Sequence, residues 1–270
     1  MKTLRVYGDS YAVSAETTTE VGAELYWPTQ LGKRFNIPVV NKAVVASSTE
    51  YSMINFTEDV TNNIIGDDDI VCFVTSTPGR SNLRYISEER PHWAGKLLIE
   101  AWKTLPKNLN NAWYWDNKNH IEWYRDNQDY NLLKINHESY IHTIKDYAWS
   151  KPNVTFVLLR NSYHNLSIPG GQPPKNFLMP NIFLSKIMED EIINWRSWED
   201  FLEYNYDNRP NHLCIPNLNV LVDLLVYSIQ NLTVDNFDYK YFHKQIISKI
   251  TNAEQHSEYV KLGLLPEFRQ

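Results

Sequence analysis

Only two cysteines, Cys72 and Cys214, occur in the 270-residue chain, which excludes a disulfide framework as the basis of the fold. Cys72 sits in the apolar run Ile70-Val71-Cys72-Phe73-Val74 and reads as a small core residue. No stretch approaches the ~18 consecutive apolar residues that a membrane-spanning helix requires. Met1-Lys2-Thr3-Leu4 leads directly into a strand, without the apolar segment of roughly 7–15 residues that marks a secretory signal, so the expected location is the cytosol. Positive charge is not in excess: 26 Lys and Arg against 32 Asp and Glu give a net charge of −6, which removes the global electrostatic case for nucleic acid or an anionic membrane as partner. His-Glu-x-x-His and paired-cysteine patterns are missing, and His137 and His142 are five apart, a poor spacing for one helical face, so no metal site is expected. Gly170-Gly171 lacks the Gly-Lys-Ser/Thr ending of a phosphate loop. Asp67-Asp68-Asp69 reads as a polar turn ahead of a buried strand rather than a cation site.

What is present is the composition of a folded globular protein, 43% hydrophobic and 21% charged, with no linker, repeat or low-complexity segment. A single domain over residues 1–270 is expected. The first 75 residues alternate strands and helices, the pattern of a parallel sheet. Strands are expected at Leu4–Tyr7, Ile37–Asn41 and from Ile70 to about Thr75. Pro28 suits the first turn of a helix carrying Leu31 and Phe35, and the hydroxyls of Ser47, Ser48 and Thr49 can cap a second helix on which Met53, Phe56, Val60 and Ile64 keep helical spacing. Gly66 and the aspartates after it are expected to stop that helix.

The next clear strand, Val154 to Leu159, follows a mostly helical insertion at about 83–150, with segments around Trp93–Trp102 and Leu132–Trp149. From Asn161 to Pro180 the chain reads as a loop, then a helix with Trp195 and Trp198, an apolar helix from about Pro216 to Ile229, and a helical tail at about 236–270. Nine tryptophans and 17 tyrosines, many between Trp93 and Trp149, either pack on the sheet or form a ligand surface on which a carbohydrate could stack.

Gly8-Asp9-Ser10 directly follows the first strand. In an open α/β sheet ligands bind outside the carboxyl ends of the strands, which sets a nucleophile reading of Ser10 beside that of an ordinary polar turn. A serine needs a general base. His212, in Asp207-Asn208-Arg209-Pro210-Asn211-His212-Leu213 ahead of an apolar helix, is the best candidate, and Asp207 could orient its imidazole; the competing reading is a surface turn that starts the helix.

Together these segments resemble the SGNH, or GDSL-type, hydrolase family. Gly8-Asp9-Ser10 matches its first block; Asn41-Lys42-Ala43-Val44-Val45-Ala46-Ser47-Ser48 is similar to its second; Pro210-Asn211-His212-Leu213 looks like a variant of its last. Ala46 replaces the oxyanion-donating glycine but retains a backbone N–H. The third block reads Val74-Thr75-Ser76-Thr77-Pro78-Gly79-Arg80 without the usual asparagine donor; Thr75, Ser76, Asn82 or Arg80 are possible replacements. Arg209 stands where the family has the aspartate, leaving Asp207 displaced by two positions. The altered third block also resembles SGNH-like proteins of large bacteriophages. Arg80 could bind an oxyanion or an anionic substrate group, or bond loop carbonyls.

The resemblance implies a three-layer α/β/α sandwich around a mainly parallel, flavodoxin-like sheet. It implies an esterase that hydrolyses a small acyl ester, on a carbohydrate or other polar carrier, with Ser10, His212 and Asp207 as triad and Ala46, Thr75 and Arg80 at the oxyanion or substrate. No cofactor, nucleic acid or membrane partner is implied. A catalytically silent binding or assembly protein and an acyltransferase using the same serine are the alternatives.

Overall fold

A computed structural model describes residues 2–9, 11–12, 26–44, 47–76, 130–160, 171–180, 182, 184 and 215–235. Along them run β1 (Leu4–Tyr7), α1 (Trp27–Phe35), β2 (Val39–Asn41), α2 (Thr49–Thr61), β3 (Ile70–Thr75), α3 (Tyr130–Ser150), β4 (Thr155–Arg160), β5 (Phe177–Leu178) and α4 (Ile215–Asn231). The strands form one sheet in the order β2-β1-β3-β4-β5, and every pairing is parallel. This is the flavodoxin-like order, which reverses direction between β1 and β3 and so opens a crevice at their carboxyl ends.

Strand side chains alternate between faces, and both faces are apolar. Leu4, Val6, Ile70, Cys72, Val74, Val157 and Leu159 meet Trp27 and Leu31 of α1 and Leu218, Leu221 and Leu225 of α4. On the other face Tyr7, Val71, Phe73, Phe156 and Leu158 meet Met53 and Phe56 of α2 and Ile141, Ile144 and Ala148 of α3. The result is the expected three-layer sandwich. Covering both faces explains why β3 is buried along its whole length and reads as a continuous apolar run. Each large apolar side chain so buried contributes about 1.5–3 kcal/mol.

Local chemistry starts and stops the helices as the sequence indicates. Pro28 lies in the first turn of α1, and Asn36 ends it in the left-handed conformation, its N–H donating to the Gly32 and Lys33 carbonyls. A Cβ on Gly32 would run into Cγ2 of Val39, so the glycine lets α1 lie against β2. Ser48 caps α2 by accepting the Tyr51 N–H at 3.2 Å. α3 is the crossover from β3 to β4, so the last part of the expected insertion belongs to the helical layer of the sheet.

β4 runs from Thr155 to Arg160, one residue beyond the expected Val154–Leu159, and larger differences from the sequence reading occur at three places. β2 begins at Val39 rather than Ile37 because Pro38 has no N–H for the ladder, although its carbonyl accepts the Leu4 N–H at 2.9 Å. α2 ends at Thr61, and the left-handed Asn63 (φ 53°) sends Ile64 outward, 47% exposed. The loop expected over 161–180 contains β5, whose Phe177 and Leu178 pair with Phe156 and Val157; two residues are too short to show a period. Asn176 fixes this edge, its side-chain Nδ2 lying 2.8–3.0 Å from the carbonyls of Ala148, Lys151 and Val154. The expected helices around Trp93–Trp102, at Trp195–Trp198 and in the tail lie outside the described residues.

Buried polar groups fix the layers. Asp69 is more than the turn residue expected from its neighbours. Its Oδ1 accepts the Thr3 N–H at 2.8 Å, and its Oδ2 accepts from Arg5 Nε at 2.7 Å and the Gly66 N–H at 2.9 Å, joining the amino ends of β1 and β3. On the α2/α3 face, Asp59 accepts from the Tyr7 hydroxyl and from Lys42 Nζ, both at 2.7 Å. The Tyr7 ring stacks near Phe73 and meets Phe56 edge-on, at centroid distances of 5.9 and 5.5 Å.

Asp69→Ala leaves Arg5 (side chain 12% exposed) and two backbone N–H groups without their acceptor, and is expected to destabilise the fold by about 3–5 kcal/mol, read as a shift of the urea midpoint at unchanged slope. A loss under about 1 kcal/mol would show the pair behaving as a surface ion pair. Burial, and then the bond to Asp59, raise the Tyr7 hydroxyl above its ordinary value. Above pH ~10 the unfolded chain releases this proton while the folded chain keeps it, so stability falls as pH rises. Tyr7→Phe is expected to lower the melting temperature at neutral pH and to flatten its alkaline decline; parallel wild-type and variant curves would rule Tyr7 out as a contributor.

Candidate active site

Gly8 continues β1 beside Val74, one step beyond the Tyr7–Phe73 pair of the ladder. A Cβ on Gly8 would lie 2.8 Å from Val74 Cβ, 3.1 Å from the Val74 carbonyl oxygen and 3.2 Å from Ala12 Cβ. Glycine is therefore a steric requirement where the chain leaves the sheet. The Gly8 carbonyl accepts the Val44 N–H at 3.1 Å and the Ser47 hydroxyl at 3.0 Å, which ties the segment after β2 to the end of β1.

The chain then turns. The buried Asp9 accepts the Tyr11 N–H on its carboxylate at 3.0 Å and the Ala12 N–H on its backbone carbonyl at 2.9 Å. Trp27 Nε1 donates to the Tyr11 carbonyl and Asn41 Nδ2 to the Ala12 carbonyl, both at 2.7 Å. Asn41 Oδ1 in turn accepts the Ala43 N–H at 2.9 Å. The two residues after position 10 are thus held by β2 and by the first turn of α1, and Asp9 is bonded to both of them.

At the end of β3, Thr75 is buried and stands in register with Arg160 of β4. The following residue, Ser76, donates its backbone N–H to Thr49 Oγ1 at 3.0 Å, and the two hydroxyl oxygens are 3.1 Å apart. Thr49 is the first residue of α2, so the pair joins the end of β3 to a helix start. Arg160 is buried, and its Nη2 donates to the Pro180 carbonyl at 3.3 Å; burial lowers its pKa.

Of the sequence-predicted site residues, Thr75 is placed at the carboxyl edge of the sheet. Ser10, Ala46, Arg80, Asp207 and His212 lie outside the described residues. The structure does gather Gly8, Asp9, Asn41, Ser47, Thr49 and Ser76 around the β1/β3 switch point. In the sequence, Pro28 marks a helix start without giving Trp27 a role, and the hydroxyl run 47–49 stands as a helix cap at the end of the second block. Their tertiary bonds, from Ser47 to Gly8 and from Thr49 to Ser76, leave no local pattern. Arg160 was missed as well; a charged residue closing an apolar strand was the available signal.

A groove of about 600 Å³ between α2 and α3, lined by Met53, Ile54, Tyr140 and Thr143 with Glu50 and Glu58, holds none of these residues. Among the described residues no group of three His, Cys, Asp or Glu is placed to hold a metal ion, and no helix is long and apolar enough to cross a membrane.

No family model matches the chain, and no curated protein sequence matches it. Among solved structures, similarity is found to a protein of the G-D-S-L family from Desulfitobacterium hafniense DCB-2, at 17% identity and a TM-score of 0.30, covering 62% of this chain and 63% of that one. The chain thus spans less than two thirds of that protein's length. The lipase/acylhydrolase from Enterococcus faecalis is similar at 13% identity and a TM-score of 0.37, covering 86% of this chain and 96% of that one. At these scores neither likeness assigns a residue or an activity to the chain.

Gly8→Ala is expected to force the ends of β1 and β3 apart, at a cost of about 1–3 kcal/mol, read by thermal unfolding. A melting temperature equal to that of the wild type would show that the Val74 contact yields without strain.

Proposed function

We propose that the protein is a serine esterase of the SGNH type, which hydrolyses a small acyl ester on a carbohydrate or other polar carrier. The observation that supports this reading best is the wedge of Gly8 against Val74 at the β1/β3 switch point, two residues ahead of Ser10. A strand end that tolerates no side chain, followed by a turn tied down through Asp9, Tyr11 and Ala12, suits a nucleophile that must project from a rigid support.

In this reading Ser10 Oγ attacks the ester carbonyl while His212 takes its proton, and Asp207 holds the imidazole in the required tautomer. Negative charge developing on the carbonyl oxygen is met by the backbone N–H groups of Ser10 and Ala46 and by a donor from the segment at the end of β3, where Thr75 stands and Arg80 follows. Collapse expels the alcohol, which receives the proton from His212. Water, activated by the same histidine, then releases the acid and restores Ser10. No cofactor takes part.

A fluorophosphonate probe tests the assignment. The wild-type protein is expected to be labelled and to hydrolyse p-nitrophenyl acetate; Ser10→Ala is expected to lose both, and His212→Ala to lose at least ~10³-fold in turnover. An unlabelled wild-type protein would mean that no serine is activated, and labelling that survives Ser10→Ala would move the nucleophile elsewhere.

A further inference from the structure

We propose that the groove between α2 and α3 binds a linear aliphatic polyamine, laid along α2 with one ammonium at Glu50 and another at Glu58. The proposal is independent of the esterase reading.

A single stripe of α2 makes one wall of the groove. Glu50, Ile54, Thr57, Glu58 and Thr61 follow one another at the three- and four-residue steps that bring side chains to one face of a helix, and all of them line it. Tyr140 and Thr143 of α3 stand opposite. The eight residues from Glu50 to Glu58 correspond to about 12 Å along the helix axis. Between the two carboxylates lie the buried Met53 and the exposed Ile54. No lysine or arginine lines the groove among the described residues, and none of their ion pairs engages the exposed Glu58. The charge of Glu50 reaches the Tyr140 hydroxyl, whose pKa is raised by burial and then by that carboxylate.

Charge, length and hydrogen-bonding sense together select the occupant. An ammonium beside Glu50 gains from the carboxylate and from the aromatic face of Tyr140, and a second one reaches Glu58. The methylene chain between them covers Ile54 and Met53, taking apolar surface out of water. Thr143 Oγ1 spends its proton on the Ser139 carbonyl at 3.0 Å, so it faces a ligand as an acceptor, which suits amines that only donate. A compact metal ion cannot meet two carboxylates two helical turns apart. A partner helix needs apolar seats along the whole groove, whereas beyond Ile54 the α2 wall is Thr57, Thr61 and Asn62. A second copy brings its own net charge of −6 and the same carboxylates, so repulsion opposes self-association here. The volume of about 600 Å³ lies in the range of small-ligand sites.

Isothermal titration of the full chain with spermidine at low ionic strength tests the proposal, and one saturable site is expected. Octamethylenediamine, of similar reach, is expected to bind at least ~3-fold more tightly than putrescine, which carries the same two charges but cannot reach both carboxylates. Glu58→Gln is expected to weaken spermidine and octamethylenediamine about 3-fold while changing putrescine little. Thr143→Lys sets a fixed cation at the groove and is expected to remove saturable binding. Asp68→Asn takes the same charge from a position outside the groove and is expected to leave the affinity unchanged. Glu58, Thr143 and Asp68 are all exposed, and thermal unfolding checks that each variant is folded. Absence of saturable binding to the wild type overturns the proposal. Equal binding of the two diamines does so as well, as does equal weakening by Asp68→Asn and Glu58→Gln, which would mean attraction by net charge alone. Dimers that Thr143→Lys disperses, in a chain that does not bind spermidine, would give the groove to a second copy and also overturn it. The diamine comparison needs only the wild-type chain and decides should a variant fail to fold.

Discussion

Gly8 and Val74 approach so closely that no side chain fits between them, and the arrangement of the carboxyl edge depends on that contact. At the same point the Gly8 carbonyl receives Val44 and Ser47 from the segment after β2. The same closeness brings Ala12 back against the end of β1, where Asn41 holds its carbonyl. Three separate stretches of chain thus meet at Gly8. A parallel sheet provides no such convergence by itself, because its ladder hydrogen bonds stop where the strands stop.

Three buried carboxylates then organise three levels of the molecule. Asp69 joins the amino ends of β1 and β3, Asp59 links β1, the residue after β2 and α2, and Asp9 closes the turn at the carboxyl edge. An ionised carboxylate away from water is costly unless its oxygens are met by donors. Asp69 is met by Arg5 and two backbone N–H groups, Asp59 by Lys42 and the Tyr7 hydroxyl, and Asp9 by a backbone N–H. Such groups specify geometry more than they add stability, since each tolerates only the arrangement that satisfies it. β1 carries the donors to Asp69 and Asp59 and leads directly into Asp9, so the strand of four residues that precedes the proposed nucleophile is fixed at both ends.

The framework was legible because its signals are local. Alternation along Leu4–Tyr7 and the unbroken apolar run of Ile70–Thr75 show in the sequence what the sheet needs, and Pro28 and Ser48 mark helix starts by chemistry that involves only near neighbours. β5 was not legible, because it is two residues long and is defined by its partner. Asp69 looked like one of three equivalent aspartates in a turn; its burial follows from strand ends that meet only after folding. The site divides in the same way. Gly8-Asp9-Ser10 draws attention through its position after a strand, whereas the roles of Asn41, Ser47 and Thr49 arise from bonds across 29, 39 and 27 positions, which no spacing rule reaches.

A fold of this type supports many chemistries, so function rests on what the switch point presents. Here the contact positions and the hydroxyls follow one spacing. Ser10 lies two residues after Gly8, Ser76 two after Val74, and Thr49 two after Ser47, and the three anchors are joined through Gly8. Of these, Thr49 and Ser76 meet, the Ser76 N–H donating to Thr49 Oγ1 at 3.0 Å with the two hydroxyl oxygens 3.1 Å apart, so the end of β3 is joined to the start of α2 just as the end of β1 is joined through Ser47 to the segment before that helix. Hydroxyls do the joining because they can both donate and accept, whereas the strand ladders supply no further bonds once the strands end.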